Sequence, residues 1–117
     1  MKNQIINKVP HAVYILDENN NILRVFPKSK GIIRVEEKTS DIGVIDGVPI
    51  CSTIWGDTTD VPEPQEGLYY IVSQLVKNAL PKRPDLLVPK YVVRDPNGNI
   101  IGCRRLDLGN FKLNNNL

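Results

Sequence analysis

The sequence predicts an α+β domain. It is mostly antiparallel β-sheet in three hairpins, rolled or folded into a small barrel or sandwich, with one short helix around 73–80. Three observations predict this. Explicit turn sequences at 17–21, 46–47 and 95–98 each separate two runs of β-branched and aromatic residues. One stretch, Leu75-Val76 to Ala79-Leu80, spaces its apolar residues three to four apart, as one buried helical face requires. No period of about 20–50 residues and no heptad runs through the chain, which argues against solenoids and coiled coils.

The first hairpin joins Ala12–Leu16 to Ile22–Phe26 through Asp17-Glu18-Asn19-Asn20-Asn21, where asparagine tolerates left-handed backbone. Gly31 turns the chain into a second sheet segment. Ile32, Val35, Ile42 and Val44 alternate imperfectly with polar residues there, and Asp46-Gly47 closes a hairpin onto "VPICSTIW". Pro49 marks that strand as an edge, because proline cannot donate to a ladder on both sides. The acidic, proline-bearing "DTTDVPEPQEG" reads as an exposed loop that crosses the sheet or covers a pocket. In "YYIVSQLVKNALPKRPD" a strand gives way to the helix at Ser73 and Pro81 stops it. Lys77 and Lys82 suit the negative end of the helix dipole. The third hairpin pairs Tyr91–Arg94 with Ile100–Leu106 around Asp95-Pro96-Asn97-Gly98. All 117 residues are expected to form a single domain, with a tail that frays from about 110 to 117.

A hydrophobic fraction of 41% supports a real core, and a net charge of +2 creates no dominant field. The basic residues gather only as Lys82-Arg83 and Arg104-Arg105, too sparse a stripe for a dedicated nucleic-acid binder. The absence of a long apolar run argues against a membrane span, and "MKNQIINKVP" lacks the apolar centre of a signal peptide. The default expectation is cytosolic. In a reducing compartment, Cys51 and Cys103 read as buried small hydrophobes.

Catalytic signatures are weak. Ser73 and the single histidine, His11, are a candidate nucleophile and base, but "YIVSQL" lacks the glycines of a strained nucleophile elbow. His11 reads as a surface or hydrogen-bonded structural residue, and the pairs Glu36-Glu37 and Glu63/Glu66 as solvated surface. No phosphate-binding glycine loop, dinucleotide fingerprint or metal-spaced cluster is present, so no cofactor and no metal is expected. Anion binding is the chemistry that remains. A helix starting after Ser73 leaves unpaired N–H groups that accept phosphate, with the Ser73 hydroxyl and Gln74 amide beside them. Arg83, Arg94 and either Arg104 or Arg105 could add guanidinium forks, with Asp85 nearby. Tyr70, with Tyr69, Tyr91 and Trp55, could stack on a base. Against this stands the plainer reading that Ser73 merely caps, the arginines are surface charges and the aromatics are core.

"VPHAVYILDENNNIL", "YYIVSQLVKNALPKRPDLLVP" and "VVRDPNGNIIGCRRL" together resemble a family of small, functionally uncharacterised proteins carried by phages and prophages. These often open with an Asn-Leu-Thr-Pro-His-like stretch, of which Asn7 and Pro10-His11 match here. The shared positions would be Pro10, His11, Ser73, Arg83, Asp85, Pro89, Arg94, Gly102, Cys103 and Arg104. The resemblance covers most of the chain and brings no activity with it. By analogy of class, small phage proteins include some that sequester immune signalling nucleotides. The leading expectation is therefore a non-catalytic counter-defence sponge for an anionic, nucleotide-like ligand. Its pocket would hold Ser73, Gln74, Arg83, Asp85, Arg94, Arg104, His11 and Tyr70 and be completed by a second subunit. The alternatives are a protein-interaction module that inhibits a host enzyme through strand edges and the 57–67 loop, and a nucleotide-processing hydrolase.

Overall fold

The computed structural model describes residues 3–29 and 31–113. Strands occupy 53% of the chain and helix 5%, so the fold is mostly β. The elements run β1 (Gln4–Asn7), β2 (Val13–Leu16), β3 (Ile22–Phe26), β4 (Arg34–Ile45), β5 (Val48–Thr59), β6 (Leu68–Ile71), α1 (Gln74–Ala79), β7 (Leu86–Arg94) and β8 (Ile100–Asp107).

The three hairpins form where the turn sequences place them, as β2–β3, β4–β5 and β7–β8. Asn20 and Asp46 adopt φ of 65° and 50°, the left-handed values that their turns need. Of the two forms expected, barrel or sandwich, no closed barrel forms among the described residues. Six strands build an open sheet in the order β1-β6-β7-β8-β2-β3, and β4–β5 stands apart as a two-stranded ribbon. The sheet is also mixed. β1 pairs in parallel with β6, β6 with β7, and β2 with β8. β1, "QIIN", carries no strand signal of its own in the sequence. Its four residues are too few to show alternation, and β6 supplies its partner from sixty-odd residues away.

β6 explains the unbroken apolar run at 70–72. Tyr70 and Val72 face one side of the sheet, where Ile33, Val76, Leu86 and Val88 pack with them. Ile71 faces the other side, among Val9, Val13, Phe26 and Cys103. A strand buried on both faces has no polar side to alternate with. α1 covers the first side through Val76. Val61 and Val35 pack against the same cluster, so the 57–67 segment is pinned at Val61 rather than wholly exposed. Gly102 permits the β2–β8 contact, since a Cβ there would meet the Tyr14 carbonyl oxygen at 2.8 Å and Leu16 Cγ at 2.9 Å.

The residues that follow β8 are held to α1. Lys77 Nζ donates to the carbonyls of Leu86 and Leu108, both at 2.9 Å, and lies 5.9 Å from the Phe111 ring centroid. This ties the end of β8 to α1. The last part of the expected tail, 114–117, lies outside the described residues.

Candidate functional surface

α1 begins as its sequence implies. Ser73 is extended at φ −71° and ψ 160°, and its Oγ accepts from Val76 N at 3.2 Å. The helix is only six residues long. Gln74 Nε2 donates to Asn78 Oδ1 at 2.9 Å along the helix surface. Tyr70 is buried in the core, unavailable for stacking on a ligand. Arg83 grips the buried carboxylate of Asp85 through Nε–Oδ1 at 2.9 Å and Nη2–Oδ2 at 2.7 Å. That pair holds the Arg83 guanidinium above its ordinary pKa, chiefly through the side-chain hydrogen bond.

The remaining candidates lie elsewhere. Arg94 Nη1 donates at 2.8 Å to the Gly98 carbonyl in its own hairpin turn. Arg104 spans to the β2–β3 turn, donating to the Asp17 carbonyl and, at 2.9 Å, to Asn20 Oδ1. Glu18 lies 3.8 Å from both Arg104 and the more exposed Arg105. His11 is exposed, with Nδ1 3.0 Å from the Ala12 carbonyl oxygen. The eight candidates thus divide among the β6 core (Tyr70), the start of α1 (Ser73, Gln74), the α1–β7 corner (Arg83, Asp85), the β7–β8 turn (Arg94), the β2–β3 turn (Arg104) and the Pro10-His11 corner (His11). Each of the three arginines already satisfies a carboxylate or a carbonyl within the chain.

His11 does border a concavity of about 680 Å³, an open apolar groove lined by Val13, Tyr14, Pro89, Val92 and Gly102 among others. Asn7, noted in the sequence only through the family resemblance, organises this corner. It is buried at the end of β1. Its Nδ2 donates to the carbonyls of His11 at 2.9 Å and of Phe26 and Pro27 at 3.2 Å, while Oδ1 accepts from Val9 N at 3.0 Å. An asparagine beside a short apolar pair carries no sequence signal of its own, because its partners converge only in three dimensions.

The feature with most unmet surface is the ribbon. Each strand is twelve residues, roughly 40 Å at the usual rise per residue. Its base joins the core through Val35, while Val44 and Ile54 are 68% and 69% exposed. Ile42, Ile45, Val48 and Trp55 are exposed as well. Cross-strand pairing puts Ile45 and Val48 on one face, with Ile50, Ser52 and Ile54 following at two-residue steps. Val44, Pro49, Cys51 and Trp55 take the opposite face. Both faces therefore present apolar side chains. Cys51 is exposed, contrary to the expectation of a buried small hydrophobe; Cys103 is buried, and burial pushes its thiol above the ordinary pKa.

Among the described residues, no group of three His, Cys, Asp or Glu side chains could hold a metal ion. None of the described helices is long and apolar enough to cross a membrane. Comparison with protein-family models, curated proteins and solved structures finds no match to the chain.

Proposed function

We propose that this chain is a protein-interaction module that works by docking its β4–β5 ribbon against a protein surface. The observation that carries this reading is a ribbon of two twelve-residue strands, exposed over most of its length and presenting large apolar side chains on both faces. A two-stranded hairpin in water is marginal by itself. One that exposes isoleucine, valine and tryptophan on both faces gains stability when a partner covers them. In the phage setting that the resemblance implies, inhibition of a host enzyme is the use such docking would serve.

The sequestering of an anionic, nucleotide-like ligand draws less support. Its arginines are held by Asp85, Gly98 and the β2–β3 turn, and Tyr70 is core. A photo-crosslinking residue placed at Ile54 or Val44 tests the proposal in cells, with Asn97 in the β7–β8 turn as control. Discrete crosslinked protein bands from the ribbon positions and none from Asn97 are expected. No product from either ribbon position would overturn the reading.

A further inference from the structure

We propose that the ribbon's partner is a second copy of this chain, joined through the open edge of β5 in antiparallel pairing about a two-fold axis near Ser52. The inference rests on the interaction-module reading above and names its partner.

The first argument is area. A compact monomer of 13.2 kDa exposes about 6,400 Å² by the usual scaling with mass, whereas this chain exposes 8745 Å². Granting the seven residues outside the described set the full exposure of an unfolded chain, about 1,100 Å², still leaves an excess of about 1,200 Å². Obligate dimers bury roughly 1,000–2,500 Å² per subunit, so the excess matches one such interface. The radius of gyration agrees: 17.1 Å, against about 13 Å for a compact chain of this length.

The second argument is the chemistry of the edge. Among the described residues the ribbon has two strands only, so β5 bonds to β4 on one side and leaves its other edge open. Soluble proteins guard such edges with lysine, other charges, bulges or proline; on β5 the one such device between Val48 and Gly56 is Pro49, beside the turn and away from the Ile50–Ile54 centre of the pairing. From Val48 to Gly56, "VPICSTIWG", β5 carries no charged residue; the charges of the ribbon's long strands concentrate on β4, in Arg34, Glu36, Glu37, Lys38 and Asp41. An identical edge matches it in length and polarity, so the main-chain hydrogen bonds of pairing form with no like-charge repulsion. Two-fold pairing centred at Ser52 sets Ile50 of one copy opposite Ile54 of the other. Ile50 and Ile54 of the two copies then pack as two apolar pairs on either side of the Ser52–Ser52 contact at the axis, continuing the Ile45-Val48-Ile50 patch of each ribbon across a four-stranded sheet.

Sedimentation across a dilution series, with the full chain, tests the inference. Wild type is expected at twice 13.2 kDa, and the double substitution Ile50→Lys/Ile54→Lys as a folded monomer. A monomeric wild type at every concentration overturns the proposal, as does a double variant that remains dimeric. Should the double variant fail to fold, Ser52→Cys in a Cys51→Ser background decides. An inter-chain disulfide on mild oxidation supports the two-fold pairing, and its absence overturns it. A monomer whose Ile54 crosslinks to a different protein would sink this inference and leave the interaction-module reading standing. A monomer with no ribbon crosslinks would remove both.

Discussion

Arg83 and Asp85 form a two-pronged ion pair two residues apart in the chain, with Nε and Nη2 of the guanidinium each meeting one carboxylate oxygen. The side chains are 16% and 8% exposed. The pair sits where the chain leaves α1 and enters β7, and the Asp85 carbonyl accepts from Tyr70 N at 2.8 Å. The Arg-Pro-Asp sequence thus locks the corner that starts β7 beside β6. Substituting Arg83→Met leaves a buried carboxylate without its counter-ion and is expected to cost about 3 kcal/mol in urea unfolding. A loss below about 1 kcal/mol would mean that the pair behaves as a surface contact.

Asn7 links the end of β1 to the Pro10-His11 corner and the end of β3 with four hydrogen bonds. The substitution Asn7→Leu keeps the volume and leaves the Val9 amide and the three carbonyls short of a partner. Unfolding is expected to become easier by about 2 kcal/mol or more. Amide exchange of Val9 should accelerate ahead of the rest of the sheet, and unchanged Val9 protection would contradict this role.

Asp17 organises the β2–β3 turn, its Oδ1 accepting from Asn19 N at 2.8 Å and Asn21 N at 2.9 Å. The backbone hydrogen bond from Asn21, foremost, holds its carboxyl below the ordinary value of 3.8. A carboxyl with a depressed folded pKa contributes stability that is present above 3.8 and is lost as pH falls through the lower, folded value. The Asp17 side-chain carbon signal should therefore titrate with a midpoint below 3.8, and Asp17→Asn should flatten the acid limb of the unfolding curve. A midpoint at or above 3.8 would show that the turn hydrogen bonds do not form in solution.

Local chemistry was legible wherever a few adjacent residues decide the outcome. Asp46-Gly47 and Asp95-Pro96-Asn97-Gly98 dictate turns through backbone preference alone, and Ser73 caps a helix that Pro81 then ends. The candidate ligand site was less legible. Arg83, Arg94 and Arg104 look alike as free cations in a string of letters. Whether a guanidinium is free depends on which carbonyl or carboxylate lies within 3 Å of it. For Arg104 those partners come from Asp17 and Asn20, more than eighty residues away.

By itself the sequence determined the hairpins, the short helix and the mostly β character, because turn propensity and apolar spacing are local properties. Only the tertiary structure decided that the sheet is mixed and open, that β1 joins it, and that β4–β5 stands outside it as an uncovered ribbon. Strand alternation records that a face is apolar, not what covers it. The same valines and isoleucines can line a core or await a partner, and the difference lies in how distant segments pair.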